Sequence, residues 1–451
     1  MSAAAERGET PADGRRAAAG PVGKIHPQPW MTSPQTRLVL EALGAGGHEV
    51  RFIGGCVRDA LLKRHIRDID IALPATPQAV TTLLQTAGVR VVPTGIDHGT
   101  VTAIVGATPF EITSLRIDVE SFGRHARVAY TDDWLADAAR RDFTINAMSC
   151  TPDGDIYDYF RGLDDLGHGR VRFVGDAAER IAEDVLRLLR FFRFYAHYGR
   201  EPPDAAALAA CRAAAAGLCT LSGERVRVEI FRTLMANDPA DAFALMRDDQ
   251  VLEHVLPEAG GIERLRMLSW LDSKALRLQS IAPDPVRRLA ALLAPSSGEA
   301  EAEAVGRRLR LSNAQGERLR RMLAPAYPLR ANGNGAALRR AVYHLGAETV
   351  RDLLLLAWAG ELAAAPAARG RNGPWSERLS LVDGWRPPRF PLRGRDALAI
   401  GIPHGPEIGR LLKAVEGWWE ESDFAPDHAA CMARLRELVG RSGAGAGLAL
   451  S

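Results

Sequence analysis

Two aspartates separated by one residue, Asp68 and Asp70, are the side chains of this sequence best suited to chemistry. The segment 68–73 alternates aspartate with isoleucine before Ala-Leu, which predicts a strand. Residues two apart on a strand point to the same face, so the two carboxylates repel each other unless a cation lies between them. Mg²⁺ takes oxygen ligands of this kind and also binds substrate phosphates. The pair indicates a divalent-ion site, although a bare pair is also typical of a solvated strand edge.

A third carboxylate favours the metal interpretation. Glu111 lies near the start of another predicted strand, 110–115. Two carboxylates on one strand and one on its neighbour can hold two metal ions, one activating a hydroxyl and one binding a triphosphate. Ile69, Ile71 and Leu73 are apolar, which predicts that the strand carrying the aspartates is half-buried. These residues together predict metal-dependent chemistry on a phosphate.

A glycine pair upstream predicts contact with a phosphate. Gly54 and Gly55 follow a predicted strand, 49–54, and precede a predicted helix. Glycine lets the backbone come close to a ligand, and the N-terminus of a helix favours an anion. Arg58 lies one turn into that helix, where its guanidinium can reach the same anion. The turn is therefore a candidate phosphate site.

A stripe of charged residues follows on a segment that predicts a helix. Its members are Asp184, Arg187, Arg190 and Arg193, each three residues from the next. Positions three apart are neighbours on a helix, so the stripe offers one acceptor and three donor groups. Aspartate accepts from an amine such as cytosine N4, and arginine donates to ring nitrogens and carbonyls. Base recognition and simple intrahelical salt bridging both suit this spacing.

The sequence changes character along its length. Residues 1–28 are rich in Ala, Gly, Arg and Pro without periodicity, which predicts a disordered tail. Short strands and helices alternate over 50–175, and helical spacing dominates from 176 to about 380. The polar segment 116–139 is predicted to include a mobile loop. A stretch rich in Pro, Gly and Arg, 384–406, precedes two further predicted helices.

The composition excludes several classes of protein. The 451 residues carry 57 basic and 55 acidic side chains, so the chain is not an overall polycation. Any nucleic-acid surface must come from local segregation of charge. The five cysteines form no Cys-x-x-Cys pair, which argues against a zinc ribbon and favours the reducing cytoplasm. No stretch approaches the roughly 20 apolar residues of a membrane span.

Five segments, in order over residues 52–232, resemble the motifs of one family. The carboxylates and the glycine turn resemble the polymerase-β-type nucleotidyltransferase superfamily. The whole series is similar to the bacterial class II tRNA nucleotidyltransferase/poly(A) polymerase family. The segments are Gly54-Gly55-x-Val57-Arg58-Asp59 with Asp68-x-Asp70, Arg140-Arg141-Asp142-Phe-Thr-Ile-Asn146-Ala-Met, Tyr157-Asp158-x-x-x-Gly162-x-x-Asp165-Leu, Glu183-Asp184-x-x-Arg187-x-x-Arg190-x-x-Arg193 and Ser222-Gly-Glu-Arg-Val-Arg-Val-Glu-Ile.

The resemblance implies a fold and a domain order. The expected fold is an α/β nucleotidyltransferase (polymerase-β-like) head domain followed by an all-α neck, body and tail. After the tail at 1–28, the expected boundaries are 29–176 for the head, 177–232 for the base-recognising neck, 233–380 for the body and 381–451 for the tRNA-binding tail.

The resemblance also implies roles for individual residues. Asp68, Asp70 and Glu111 form the expected catalytic set, with Mg²⁺ on the two aspartates. Asp184 and Arg187 are expected to present a Watson–Crick-like edge to the base. Asp142 and Asn146 suit either sugar contact or helix capping. The expected nucleotide-binding residues are Gly55, Arg58, Arg141, Asp142, Asn146, Asp184, Arg187, Arg190 and Arg193. The expected RNA-binding residues are Arg386, Arg389, Arg393 and Arg395.

The implied function is template-independent addition of CCA to the 3′ end of tRNA. The expected partners are CTP, ATP and tRNA, held at its 3′ end and its elbow, with no membrane and no stable protein partner. A poly(A) polymerase or an A-adding enzyme of the same fold would carry the same motifs. A non-catalytic RNA-binding protein on this fold is the alternative from another class.

Overall fold

A computed structural model describes residues 20–446 except 94, 97–98, 123–124, 276–280, 328, 330–333 and 366–372. The chain divides into two compact units, Met1–Pro257 and Glu258–Ser451. The division falls inside the range predicted for the body, 233–380. In the described residues, no helix is long and apolar enough to cross a membrane.

The strands belong to the first unit. They are β1 (Gly23–Lys24), β2 (Arg51–Ile53), β3 (Ile69–Leu73), β4 (Arg90–Val92), β5 (Thr100–Val105), β6 (Thr108–Ser114), β7 (Arg116–Phe122), β8 (His125–Tyr130), β9 (Ser149–Cys150) and β10 (Asp155–Tyr157). One sheet has the order β1-β10-β9-β2-β3-β6-β5-β4, and β7 and β8 form a separate pair. Strands β3 and β6 run parallel, whereas the other paired strands are antiparallel.

The helices of the first unit alternate with these strands along the chain and continue after the last strand. They are α1 (Pro29–Thr32), α2 (Pro34–Gly44), α3 (Gly55–Leu61), α4 (Pro77–Thr86), α5 (Trp134–Ala139), α6 (Gly162–His168), α7 (Ala177–Glu183), α8 (Leu186–Tyr198), α9 (Ala205–Ala214), α10 (Gly223–Leu234), α11 (Ala240–Asp248) and α12 (Leu252–Val255). A 3₁₀ turn, Thr144–Asn146, precedes β9.

Local signals explain where these helices begin. The side chain of Ser33 accepts a hydrogen bond from the Thr36 amide at the start of α2, and Thr76 has the same role at the start of α4. A proline occupies the first turn of both helices, where its missing N–H costs nothing. Strands β5 and β6 form a hairpin, in which Val105 pairs with Thr108.

Two expectations concern irregular segments. The described part of 116–139 consists largely of β7, β8 and α5, and Gly123 and Arg124, which lie between β7 and β8 in the chain, are outside the described residues. Charged and apolar residues alternate in β7, and this period of two is typical of a strand even where the average is polar. The predicted disordered tail 1–28 is too long, because β1 pairs with β10. Residues 1–19 lie outside the described residues.

The second unit is built from helices. They are α13 (Ile262–Trp270), α14 (Pro285–Leu292), α15 (Glu299–Arg308), α16 (Asn313–Leu323), α17 (Gly335–Leu345), α18 (Ala347–Ala364), α19 (Gly373–Gly384), α20 (Gly394–Ala399), α21 (Pro406–Glu421) and α22 (His428–Ala446). Helix α20 interrupts the Pro/Gly/Arg-rich stretch. After β10, the regular elements of the described residues are helical, which confirms the predicted fold class.

Buried apolar and charged groups hold the second unit together. Trp419, Val415 and Leu435 form the centre of an apolar cluster between α21 and α22. Elsewhere, the guanidinium of Arg288 is fully buried and donates to Asp272 at 2.6 Å. A buried charge is tolerated when it is paired and hydrogen-bonded in this way.

Candidate active site

The parallel pairing of β3 and β6 brings two carboxylates side by side. Asp70 lies directly opposite Glu111 in the register of these strands. Asp68 immediately precedes β3 and is exposed, whereas Asp70 is half-buried between Ile69 and Ile71. The strand therefore starts one residue later than predicted, and Asp68 belongs to the segment that leads into it.

The electrostatics of Asp70 reflect this crowding. Burial raises the pKa of Asp70, and the charges of Glu111 and Asp68 raise it further, to about 6. The guanidinium groups of Arg141 and Arg58 act in the opposite direction. An acid with a raised pKa holds its negative charge poorly until positive charge joins it.

The donor chemistry of this carboxylate group fits a hard divalent ion. Carboxylate oxygens are the ligands that Mg²⁺ prefers, and the ion usually takes only one or two of them from the protein. Among the described residues, no three side chains of Asp, Glu, His or Cys come together as a complete metal site. The aspartate pair fits an ion whose other ligands come from phosphate and water.

The glycine turn lies beside these carboxylates. Gly54 has a φ of +66°, a left-handed conformation that favours glycine, and its amide donates to the Met148 carbonyl at 3.2 Å. A Cβ atom at Gly54 would lie 3.3 Å from a guanidinium nitrogen of Arg141. The turn thus brings the first and second motifs into contact.

Arg58 is buried and is held from several sides. Its guanidinium donates to both carboxylate oxygens of Asp59, at 3.0 and 2.9 Å, and also to the Asn146 side chain. The ring of Tyr198 lies 4.3 Å from the guanidinium carbon, and the Tyr198 hydroxyl donates to Asp59 at 2.9 Å. These contacts fix the guanidinium in one orientation next to the glycine turn.

The second motif forms a hydrogen-bonded set with the fourth. The side chain of Asp142 accepts from Asn146 at 3.0 Å and from the Phe143 amide at 2.9 Å. Arg190 donates from Nε to Asp142 at 2.7 Å. Burial raises the pKa of Asp142, but Arg190 and the hydrogen bonds outweigh burial and hold it below its usual value. Arg141 pairs with Asp137 at 3.0 Å.

The continuous stripe predicted for the fourth motif is wrong. Helix α7 ends at Glu183, Asp184 has extended backbone angles, and α8 begins at Leu186. The Asp184 side chain accepts from the Leu186 amide at 3.1 Å, which is the local hydrogen bond through which aspartate favours a break over a continuous helix. Arg225 donates to both carboxylate oxygens of Asp184, at 3.0 and 2.7 Å.

The three arginines of the fourth motif have separate environments. Arg187 pairs with Glu183 and donates to the carbonyls of Arg180 and Arg140. Arg190 contacts Asp142, and Arg193 donates to Glu229 at 2.6 Å. Salt bridging therefore accounts for much of the predicted stripe, although Arg193 also reaches a cleft.

A cleft of about 680 Å³ gathers part of the predicted site. The predicted residues among its lining are Gly55, Arg58, Asp68, Asp70 and Arg193. Of the other predicted residues, Glu111, Arg141, Asp142, Asn146, Asp184, Arg187 and Arg190 lie outside this lining. Sequence reasoning missed the supporting residues Tyr198 and Arg225. Arg225 lies within the fifth motif, so its position there was a signal, whereas Tyr198 carried none.

The four arginines expected to bind RNA, Arg386, Arg389, Arg393 and Arg395, are exposed in the second unit. Arg386 donates to the Asp383 carbonyl at 3.0 Å, and the Arg393 amide donates to Asp396 at 2.7 Å in front of α20. Their guanidinium groups are accessible to a solvent-side partner.

Residues 50–172 match the poly(A) polymerase head domain, and residues 203–260 match a probable RNA and SrmB-binding site of polymerase A. The mitochondrial CCA tRNA nucleotidyltransferase 1 of Homo sapiens is 35% identical over 392 residues, 84% of each chain. The CCA-adding enzyme of Lactobacillus delbrueckii subsp. bulgaricus is 32% identical over 397 residues, 85% of this chain and 92% of that protein.

A solved structure agrees with these sequence matches. The crystal structure of the Bacillus stearothermophilus CCA-adding enzyme in complex with CTP matches with a TM-score of 0.73 and 24% identity, over 92% of this chain and all of that one. The head-domain match and these relatives define a nucleotidyltransferase with a poly(A) polymerase head domain. Within that class, the chain belongs to the family of CCA tRNA nucleotidyltransferases, or CCA-adding enzymes.

Proposed function

We propose that this chain adds C, C and A, taken from CTP and ATP, to the 3′ end of tRNA without a nucleic-acid template. The 3′ hydroxyl oxygen forms a bond to the α-phosphorus of the nucleoside triphosphate. The bond from that phosphorus to the bridging oxygen breaks, pyrophosphate leaves and the hydroxyl proton is released. Membership of the family, at 35% identity over 84% of the chain, supports this reaction and these substrates.

The observation that carries the proposal is the register of Asp70 opposite Glu111, with Asp68 immediately before the strand that carries Asp70. Burial and the crowding of like charges together raise the pKa of Asp70, so a bound cation would relieve the repulsion. We assign Asp68, Asp70 and Glu111 as the catalytic carboxylates. Asp68 and Asp70 would hold Mg²⁺. When bound, this ion neutralises charge on the triphosphate and favours ionisation of the attacking hydroxyl.

The cleft supports triphosphate binding next to these carboxylates. Gly55, Arg58 and Arg193 line it together with the aspartates, so they are the assigned phosphate contacts. Arg58 is pre-oriented by its neighbours, which lowers the entropy that must be lost when it binds an anion. The positive charge of Arg141 opposes the rise in the pKa of Asp70, so we assign Arg141 to the charged groups around this carboxylate.

Asp142, Asn146 and Arg190 are assigned to the nucleotide site through their contacts with one another and with Arg58. Asn146 contacts both Arg58 and Asp142, and Asp142 orients Arg190. Direct contact of this group with the sugar stays a prediction.

Base selection is assigned to Asp184 and Arg187. The Asp184 carboxylate is positioned by Arg225, and the Arg187 guanidinium is positioned by Glu183 and two carbonyls. An aspartate acceptor and an arginine donor together can match the edge of cytosine or adenine. Protein groups hold both side chains in place, so no template strand is needed to position them.

Incorporation of labelled CTP and ATP into tRNA lacking its CCA end tests the proposal. The wild-type chain should incorporate both nucleotides with Mg²⁺ and neither after chelation. Asp70→Asn should lose incorporation, because it removes one charge from the metal-binding pair. Asp153→Asn, at an exposed aspartate of the same unit, is the matched control and should remain active. A folded Asp70→Asn protein with wild-type turnover would overturn the carboxylate assignment.

A further inference from the structure

Three exposed arginines contribute basic groups to the lining of the active-site cleft. Arg64 and Arg67 lie in the segment between α3 and β3, and Arg232 lies on α10. All three are exposed and line the cleft that also contains Asp68 and Asp70. We refer to Arg64, Arg67 and Arg232 as the arginine wall. The cleft is thus acidic where chemistry is assigned and basic along this wall.

The arginine wall differs from the other arginines of the cleft in its partners. Arg58 pairs with Asp59, and Arg193 pairs with Glu229. Within the described residues, no carboxylate lies within ion-pairing distance of the wall. Arg64 donates to the His197 carbonyl at 2.9 Å and lies 4.5 Å from the Tyr198 ring, contacts that orient it without neutralising it.

The positive potential of this region acts on a neighbouring histidine. Burial lowers the pKa of His197, a hydrogen bond to the Arg232 carbonyl opposes this, and the charges of Arg193, Arg64 and Arg58 lower it further. A group surrounded by arginines loses its proton more easily. The same potential attracts an anion from solution.

Apolar side chains accompany the wall. Phe231 and Met235 also line the cleft, and they are four residues apart at the end of α10, so they lie on one face. Met235 is 40% exposed although it is apolar. A ligand that combines phosphates with flat aromatic rings, such as single-stranded RNA, matches arginines that lie next to exposed apolar side chains.

We propose that the arginine wall binds the phosphodiester backbone at the 3′ end of the RNA substrate and leads the terminal hydroxyl to Asp68 and Asp70. This inference rests on the proposed function and specifies where its RNA end lies. Arg67 adjoins Asp68 in the chain, with Cα atoms about 3.8 Å apart. An RNA whose hydroxyl reaches the carboxylates therefore has its preceding phosphate close to Arg67, and the other two arginines of the wall line the same cleft.

The wall is distinct from the assigned triphosphate contacts. Arg58 and Arg193 are already oriented by carboxylates, as a fixed phosphate subsite requires. The wall is exposed and carries no ion pair among the described residues, as expected for a surface over which a backbone advances by one nucleotide per addition. Phosphate contacts of this kind hold an RNA in place without reading its sequence.

The test is steady-state incorporation by Arg67→Gln, Arg232→Gln and the double variant, with tRNA lacking its CCA end. KM for this tRNA should rise roughly tenfold in the double variant, since each substitution removes a charge-assisted hydrogen bond to phosphate. KM for CTP should stay within twofold. The slope of log affinity for RNA against log salt should become shallower by about 0.7 for each phosphate interaction removed. Arg247→Gln, at an exposed arginine paired with Asp248, is the matched control.

Arg67→Lys with Arg232→Lys separates charge from folding. These variants keep the positive charge and should restore most of the RNA affinity and the salt slope. If the glutamine variants melt at a lower temperature than the wild type, two measurements separate lost RNA contacts from impaired folding. These are KM for tRNA in the lysine variants and direct RNA binding without Mg²⁺. A rise in KM for CTP alone would show that the wall binds the triphosphate. Unchanged KM values for both CTP and tRNA would show that the wall binds neither substrate. Either result overturns the inference. A wild-type chain that incorporates nothing would instead refute the proposed function.

Discussion

Asp70 is central to the proposed chemistry. Its neighbours Ile69 and Ile71 are buried in the apolar core, whereas Asp70 itself lines the cleft. Its carboxylate is opposed by Glu111 and is balanced only in part by Arg141 and Arg58. Residues that are crowded in this way commonly trade stability for function, since the charge is useful only when a substrate or a cation compensates it.

The first prediction concerns the stability of Asp70→Asn without metal. The folded pKa of Asp70, about 6, lies above its ordinary value of 3.8, so the folded state binds the proton more tightly than the unfolded state. Ionised Asp70 therefore destabilises the fold at neutral pH, and its penalty shrinks as the pH falls from 6 towards 4. The variant should be about 1–2 kcal/mol more stable at pH 8. Urea unfolding at about pH 8 and pH 4.5 measures the difference, and a variant less stable at pH 8 would contradict the crowding.

The second prediction concerns nucleotide choice. Arg187→Ala should reduce discrimination of CTP and ATP against UTP and GTP by about 1–3 kcal/mol, because alanine cannot make the bidentate interaction with the base. Arg180→Ala is the matched control, since Arg180 and Arg187 both pair with Glu183 but only Arg187 is assigned to the base. Competition assays with mixed nucleotides measure the ratio. Equal selectivity in the two variants would remove Arg187 from base recognition.

At the scale of elements, the sequence predicted the features that the spacing of apolar residues determines. The apolar spacing indicated the strands and helices around the carboxylates, and the alternation at 69–73 indicated their burial. It could not reveal that Asp184 stands between α7 and α8, because the three-residue spacing continues across the break. The ion pair of Asp184 with Arg225 joins residues 41 apart and depends on how α8 packs against α10.

The packing around Gly162 explains why a glycine occupies this position of the third motif. A Cβ atom on Gly162, the first residue of α6, would lie 2.2 Å from the Thr144 carbonyl oxygen. Thr144 begins the 3₁₀ turn that ends at Asn146, the residue that contacts Arg58. Close backbone contact here therefore supports the candidate nucleotide site from behind.

The third prediction tests this contact. Gly162→Ala should destabilise the fold by about 1–3 kcal/mol, because backbone atoms must move to admit the methyl group. Gly167→Ala lies in the same helix with nothing within 4 Å of its Cβ position, and it should be neutral or stabilising by about 0.5–1 kcal/mol. Thermal melting of both proteins measures the contrast. Equal melting temperatures would show that the 3₁₀ turn yields easily.

At the scale of the whole molecule, the candidate chemistry lies in the first unit and the predicted tRNA-gripping arginines lie in the second. Several arginines of α15 and α16 are neutralised by carboxylates, as in the pairs of Arg308 with Glu258 and Arg321 with Glu317. The predicted quartet of Arg386, Arg389, Arg393 and Arg395 is exposed. Both regions are rich in arginine in the sequence, but only the fold distinguishes paired arginines from accessible ones.

The fourth prediction concerns this quartet of exposed arginines in the second unit. Replacing the quartet by glutamine should weaken tRNA binding by roughly tenfold or more and flatten its salt dependence, since these arginines are expected to contact phosphates. CTP binding should not change. The matched control replaces the paired residues Arg307, Arg308, Arg320 and Arg321 in the same way. Filter binding at several salt concentrations decides, and equal weakening in both quadruple variants would refute a specific role for the quartet.

The product of the reaction tests the central claim most directly. The wild-type chain is incubated with tRNA lacking its CCA end, CTP, ATP and Mg²⁺, and the 3′ ends are sequenced. We expect addition to stop after C, C and A, because one nucleotide pocket accepts CTP and then ATP as the RNA end advances. Long A-tails or a single added A without any use of CTP would contradict CCA addition and identify a poly(A)-forming or A-adding enzyme of the same fold.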